Sequence, residues 1–126
     1  MKVIETKDAP AAIGPYSQAA ATGGLVYTSG QIPVDPTTGE VAGATIAEQT
    51  DTVLKNLSAV LTAAGAALSS VVKTTCFIRD MAEFASFNEV YARYFTGDAK
   101  PARSCVEVSA LPKGVLVEIE AVAEVL

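Results

Sequence analysis

The feature that most constrains the fold is a change of hydrophobic period near the middle of the chain. From Thr45 onward, apolar residues fall three and four positions apart, which predicts one face of an amphipathic helix. These residues are Ile46, Val53, Leu54, Leu57, Val60, Leu61 and Ala64. Thr45 and Glu48 have the spacing of a capping box, and Gly65 stands where a left-handed cap belongs. The alternating, β-branched "SVVKTTCFIRD" then predicts a strand over about 70–79.

A second step from strand to helix to strand follows the first. Asp80 is the expected cap of a second helix, with Glu83 as its capping-box partner and Gly97 at its end. The apolar stripe of this helix is aromatic and consists of Phe84, Phe87, Tyr91 and Tyr94. Two final strands are expected at roughly 102–109 and 115–125, joined by "ALPKG".

The N-terminal part has the pattern of short strands and turns. Residues 2–7 form a possible edge strand, and two β-prone runs near 16–21 and 25–29 predict a hairpin, followed by an irregular loop around "DPTTGE". The predicted order is β-β-β-α-β-α-β-β, which indicates an α+β fold with a mixed sheet and both helices on one face. No repeat or linker interrupts the chain, so we expect one domain over 1–126.

Charge and composition exclude several kinds of chemistry. The net charge of −5, without a cluster of Lys or Arg, argues against a nucleic-acid binder. The chain has no histidine, which removes Ser-His-Asp and Cys-His catalysis and the usual zinc or iron ligands. The two cysteines, Cys76 and Cys105, have neither metal-site nor disulfide-framework spacing. We therefore expect no metal and no cofactor.

Hydrophobicity and the N-terminal segment predict the oligomeric state and the cellular location of the chain. Half of the residues are hydrophobic, which is high for 126 residues and predicts that some apolar surface closes a subunit interface. The N-terminal "MKVIETKDAP" lacks the apolar core of a signal peptide, and charged residues interrupt the longest apolar stretches. These features predict a cytoplasmic protein that does not associate with membranes.

The segment "PARSCVEV" raises a question about its arginine, because a guanidinium near a core needs an anion. If the last two strands pair as an antiparallel hairpin with their valine faces matched, Cys105 lies near Glu118 and Arg103 near Glu120. Arg103 and Glu120 would then form a modest cross-strand ion pair. The alternative is that the anion is a ligand. The residues alone favour the ion pair.

Several motifs in order identify a family resemblance. "GPYSQA", "SGQIP", "DPTTGE", "VVKTTCFIRD", "FNEVYARYF", "PARSCVEV" and "EIEA" resemble the RidA/YjgF/YER family of reactive-intermediate deaminases, from about residue 9 to 125. The resemblance implies a homotrimer of chorismate-mutase-like subunits of the bacillary type, whose sheets form an inner barrel and whose sites lie in clefts between neighbouring subunits. It also implies hydrolysis of 2-imino acids to 2-oxo acids and ammonia. The imines, such as 2-iminopropanoate and 2-iminobutanoate, come from pyridoxal-phosphate-dependent dehydratases.

The same resemblance implies roles for particular residues. Arg103 matches the family's carboxylate-binding arginine, the Cys105 backbone carbonyl helps to hold a water, and Glu118 is the acidic partner of that water. The remaining substrate-pocket positions fall on Tyr16, Ser29, Gly30 and Asn88.

Each of the other positions also has a purely structural explanation. Tyr16 follows Gly-Pro and could close a turn, and Ser29 could cap the Gly-Gln corner. Gly30 could make a turn or let the backbone approach a ligand. Asn88 lies outside the aromatic stripe of its helix, where a solvated side chain is common, and Cys105 could be a small buried hydrophobe.

Two other classes of function stay open at this point. Relatives of this family have been described as endoribonucleases and as regulatory or chaperone-like proteins. A protein of the second class would hold a small carboxylate with Arg103 without turning it over. The negative charge of the chain weighs against the ribonuclease.

Overall fold

A computed structural model describes all 126 residues and confirms the α+β order. The elements are β1 (Lys2–Ile4), β2 (Ala19–Thr22), β3 (Leu25–Thr28), α1 (Ile46–Ala63), β4 (Val71–Ile78), α2 (Phe84–Ala92), β5 (Ala102–Glu107) and β6 (Val117–Glu124). Short 3₁₀ turns precede β4, α2 and β6. The strands form one sheet in the order β1-β2-β3-β6-β4-β5. All neighbours are antiparallel except β4 and β5, so the sheet is mixed as predicted.

Helix α1 begins and ends where its sequence signals predict. The Thr45 hydroxyl accepts from the Glu48 N–H at 3.2 Å, and the Glu48 carboxylate accepts from the Thr45 N–H at 3.1 Å. Gly65 has φ 77°, in the left-handed region that favours glycine. The buried face of α1, which includes Leu54 and Leu57, packs into the main hydrophobic core.

The predicted boundaries of α2 are wrong at both ends. Asp80 caps the 3₁₀ turn Met81–Glu83 by accepting from the Ala82 N–H, while Glu83 makes no return bond. At the other end the last turn tightens, and α2 stops at Ala92 instead of near Gly97. Phe95 then folds back and stacks on Tyr91, with ring centroids 4.5 Å apart. The chain gains a buried aromatic contact by leaving the helix early.

Both helices cover one face of the sheet, as predicted. The inward residues of the two central strands join the helices in one core: Cys76, Ile78, Val117, Ile119, Ala121 and Ala123. A row of side chains crosses the helix-free face of four strands through Val3, Ala20, Tyr27 and Val122. Val3 is 54% exposed and Tyr27 47% exposed. Neither helix has the length and apolar character needed to cross a membrane.

The predicted hairpin between the last two strands does not form. Strand β4 lies between β5 and β6, pairing in parallel with β5 and antiparallel with β6. The reason is the connection through α2, because parallel neighbours need a crossover and a helix supplies it. The alternation of Val106 in β5 and Val108 just after it fits either neighbour, so the hydrophobic pattern alone did not decide the pairing.

The observed register separates Arg103 from both glutamates. Thr74 is flanked by Arg103 and Ala121, and this row faces the helices. Glu118 lies opposite Phe77, and Glu120 opposite Thr75, on the other face. Cys105 lies beside Cys76 on the helix side. The expectations that Arg103 pairs with Glu120 and that Cys105 lies near Glu118 on a shared surface are therefore wrong.

Candidate active site

The Arg103 side chain lies under α2, where two aromatic rings and one side-chain amide contact its guanidinium. Its Nη1 donates to Asn88 Oδ1 at 2.7 Å. The guanidinium carbon lies 4.7 Å from the centroid of the Tyr91 ring and 5.5 Å from that of Phe84. The two ion pairs in the chain join other residues, so no carboxylate of the same chain neutralises Arg103. The charge is held in place while remaining available to an external anion.

Asn88 belongs to this arrangement, so the interpretation of it as a solvated side chain is wrong. Phe84, Asn88 and Tyr91 are spaced four and three residues apart, which places all three on one face of α2. The sequence signal was present in this spacing. It was missed because the stripe was defined by its aromatic residues alone.

Cys105 lies on β5, the edge strand, two residues after Arg103. The Val108 N–H donates to the Ile78 carbonyl at 2.9 Å, and alternate residues of a parallel strand bond to the same neighbour. The N–H and C=O of Cys105 therefore point to the open edge. Burial raises the pKa of the Cys105 thiol, which keeps it protonated. The backbone carbonyl of Cys105 is therefore the group that is free to accept a hydrogen bond from a ligand or a water.

A second group of candidate residues lines a cleft of about 690 Å³ at the other face of the sheet. The members of this group are Tyr16, Ser29, Gly30 and Glu118. Gln31 exchanges two backbone hydrogen bonds with Ile119, of 2.8 and 3.1 Å, and so fixes the 29–31 segment beside β6. The Ser29 hydroxyl donates to the Ser17 carbonyl at 2.5 Å, which joins the two loops that form the cleft wall.

Gly30 leaves room for the Glu118 carboxylate. A Cβ atom on Gly30 would overlap Oε2 of Glu118 and lie 2.8 Å from its carboxyl carbon. The φ of Gly30 lies outside the left-handed region, so space and not conformation requires glycine here. Neither earlier explanation of Gly30, a turn or an approach to ligand, included this contact.

The Glu118 carboxyl is suited to accept a proton. It is half-buried, and burial, together with the like charge of Glu120, raises its pKa. The other charged residues that line the cleft are Asp35 and Lys113. A raised pKa makes the carboxylate a better proton acceptor near neutral pH.

If Glu118 accepts a proton in catalysis, changing Gly30 to alanine should lower the activity without unfolding the protein. The added methyl turns the Glu118 carboxylate away from its present position, and we expect a loss of several-fold to about tenfold in kcat/KM, since misplaced groups are costly in catalysis. Gly97→Ala is the matched control, because Gly97 also lacks a positive φ and an added Cβ would meet only the Ala99 carbonyl oxygen, at an ordinary contact distance of 3.9 Å. Equal activity in the two variants would show that the Glu118 position does not matter.

If the ionised Glu118 carboxylate is the proton acceptor of a reaction, changing Glu120 to glutamine should shift the acid limb of its pH–rate profile. Removing the like charge lowers the pKa of Glu118 toward its ordinary value, so the carboxylate stays ionised to lower pH. The fall of kcat/KM in acid should therefore begin at lower pH than in the unmodified protein. A limb that stays in place or moves to higher pH would contradict the assignment of Glu118.

The candidate residues thus form two groups that do not meet within one chain. Arg103, Asn88 and Cys105 lie at the helix-covered edge of the sheet, and the cleft group lies across it. Sequence reasoning missed the residues that support each group. Tyr91 stacks on the guanidinium, and buried Asn56 donates to the Ile32 and Val34 carbonyls that shape the cleft loop.

Fold and site together define a small α+β subunit with an unneutralised cation at one edge of the sheet and, on the opposite face, a cleft that contains the Glu118 carboxylate. The model of the Endoribonuclease L-PSP family matches residues 6–125. The chain is 55% identical to a RutC family protein of Pyrococcus horikoshii, with 97% of this chain and 96% of that protein covered. It is 51% identical to the 2-iminobutanoate/2-iminopropanoate deaminase of Escherichia coli, with 97% and 96% covered.

The fold of the chain is also similar to that of a solved structure. The crystal structure of E. coli TdcF with bound serine has a TM-score of 0.93 and 48% identity, with 98% of each chain covered. The chain belongs to the Endoribonuclease L-PSP family, which is the YjgF/RidA family that its motifs resemble.

Proposed function

We propose that this protein hydrolyses 2-imino acids to 2-oxo acids and ammonia. The observation that carries the proposal is the Arg103 guanidinium, which is held by Asn88 and two rings but has no carboxylate of its own chain. A planar carboxylate is the anion that such a fork binds best. The similarity to a named imine deaminase supplies the reaction class.

The proposed active site is shared between two copies of the chain in a homotrimer. Arg103 and Glu118 lie on opposite faces of one sheet, so one small substrate cannot touch both in a single subunit. A second copy, packed against the helix-free face, would bring its own Glu118 to the open edge of β5. The exposed row that includes Val3 and Tyr27 supports burial of that face.

Substrate binding is the first part of the mechanism. Arg103 takes the carboxylate in two parallel hydrogen bonds, which also fixes the plane of the adjacent C=N group. Asn88 and the rings prevent the guanidinium from turning. Tyr16, Ser29 and Gly30 of the second copy form the wall around the substrate. Positioning of this kind supplies most of the rate enhancement that an already electrophilic imine needs.

Water addition and release of ammonia follow. Glu118 and the Cys105 carbonyl hold a water over the imine carbon, and Glu118 accepts its proton as the C–O bond forms. The electron pair of the C=N bond of the protonated imine moves to nitrogen, which becomes an amine. Glu118 returns the proton to that amine, the C–N bond breaks to release ammonia, and the hydroxyl proton passes back to the Glu118 carboxylate as the carbonyl forms. No metal or cofactor takes part in these steps.

The proposed substrates are small imines such as 2-iminopropanoate and 2-iminobutanoate. Pyridoxal-phosphate-dependent dehydratases release these compounds in the cytoplasm. A ribonuclease is less well supported, although the family description names one. The cleft is lined by one lysine, Lys113, against the carboxylates Asp35 and Glu118, and RNA phosphates need a basic surface.

A coupled assay tests the proposal. Threonine dehydratase or an amino-acid oxidase generates the imine, semicarbazide traps what survives, and purified protein is added in increasing amounts. The proposal predicts faster loss of imine and faster appearance of 2-oxo acid in proportion to the protein. Binding of 2-oxobutanoate without any acceleration would identify a carboxylate-binding protein with no turnover.

A further inference from the structure

A buried pair of hydroxyl groups lies directly beneath Arg103. Thr74 Oγ1 and the Tyr91 phenol share a hydrogen bond of 2.8 Å, and Thr74 is fully buried. Burial raises the pKa of Tyr91, so the phenol stays protonated and the bond stays formed. The bond joins the centre of β4 to the last turn of α2, two elements that share no other hydrogen bond between side chains.

This hydroxyl pair is connected to the guanidinium on both sides. Thr74 is the lateral partner of Arg103 across the two parallel strands, and the Tyr91 ring lies 4.7 Å below the guanidinium carbon. Phe95 stacks on the Tyr91 ring, with centroids 4.5 Å apart, and the Phe87 ring centroid lies 5.7 Å from that of Tyr91. The ring that supports Arg103 is therefore fixed by packing around it and by one directional bond at its hydroxyl.

We propose that the Thr74–Tyr91 hydroxyl pair positions the Arg103 guanidinium for carboxylate binding. The proposal rests on the proposed function of Arg103 and adds two positioning residues to it. Without the bond, the Tyr91 ring keeps its packing but loses the contact that fixes its tilt and depth. The guanidinium above it then samples orientations in which only one of its two parallel donors meets a carboxylate.

The test measures 2-oxobutanoate binding by calorimetry in the unmodified protein and in Thr74→Val and Tyr91→Phe. Each change removes one hydroxyl and nearly conserves shape, and we expect about three- to tenfold weaker binding, the range of one hydrogen bond. The double variant should bind no more weakly than the weaker single variant, because both changes remove the same bond. Thr50→Val is the control, since Thr50 is fully buried with an unpartnered hydroxyl.

A further variant separates positioning from packing. Thr74→Ser keeps the hydroxyl and loses a methyl group, so its melting temperature should fall while its 2-oxobutanoate affinity stays near that of the unmodified protein. If Thr74→Val and Tyr91→Phe bind as tightly as Thr50→Val, the positioning role is wrong. Arg103→Lys is measured in the same way. If only Arg103→Lys binds 2-oxobutanoate weakly, Arg103 binds the carboxylate but the hydroxyl pair does not position it. If Arg103→Lys binds 2-oxobutanoate normally, both carboxylate binding by Arg103 and its positioning by the hydroxyl pair are wrong.

Discussion

Replacing Arg103 by lysine should leave a folded protein and lower kcat/KM for imine hydrolysis by roughly 10- to 100-fold, the value of one lost charge-assisted hydrogen bond. The ammonium keeps the charge but loses the planar fork that takes a carboxylate in two bonds. It also loses the stacking on Phe84 and Tyr91 and leaves Asn88 without its present donor. Melting curves and the coupled imine assay on one sample measure both effects.

Arg93→Lys is the matched control for this change. Arg93 lies at the end of α2, where it forms an exposed ion pair with Glu89 at 3.5 Å. Surface pairs of this kind contribute little, so activity and stability should be almost unchanged. If Arg103→Lys behaves like Arg93→Lys, Arg103 is a structural residue and the proposed clamp is wrong.

Replacing Glu118 by glutamine should reduce turnover by about 10²–10⁴-fold, the usual contribution of a general base. The amide has almost the same shape as the carboxylate, so it still fits against Gly30 in the cleft. It cannot accept a proton from water at neutral pH. We therefore expect kcat to fall far more than the affinity for 2-oxobutanoate.

Glu124→Gln provides the comparison on the same strand. Glu124 lies on the same face of β6 but is not part of the cleft. The loss of activity should be specific to Glu118, and Glu124→Gln should retain nearly all turnover. Unimpaired kcat in Glu118→Gln would move the proton transfer to another group and overturn the mechanism.

The local signals in the sequence predicted the elements well, because each depends on residues close in the chain. The capping box of Thr45 and Glu48 and the left-handed Gly65 are contained within one helix and its ends. Helix α2 was harder because its end is decided by a tertiary contact, the stacking of Phe95 on Tyr91. Capping residues alone do not encode that contact.

The main error in the sequence-based prediction was the choice of which strands lie next to each other. The alternation of Val106 and Val108 indicates which residues share a face, but not which strand lies beside β5. The insertion of β4 between β5 and β6 follows from the crossover through α2, a property of the whole chain path. The mistaken pairing placed Glu120 on the same face of the sheet as Arg103, whereas the two residues lie on opposite faces.

The candidate site was predictable only in part for the same reason. The motifs pointed to Arg103 and Glu118, yet the helix-side and cleft groups became distinct only once the register was known. The contact of Gly30 with the Glu118 carboxylate joins residues far apart in sequence and has no local signal. The spacing of Phe84, Asn88 and Tyr91 did indicate that all three side chains share one face of α2.

If each active site takes Arg103 from one subunit and Glu118 from another, mixing two inactive variants should restore activity. Arg103→Ala and Glu118→Gln are each assayed alone, then co-refolded in equal amounts and assayed again. Native mass spectrometry establishes that mixed trimers form. The unmodified protein taken through the same refolding gives the reference activity.

In a cyclic trimer, every mixed assembly has one site with both native residues. Random assortment makes about three quarters of the trimers mixed, and one site in three is native in each, so activity should return to about a quarter of the reference. Activity no greater than that of the separate variants, in a sample that contains mixed trimers, would contradict a shared site.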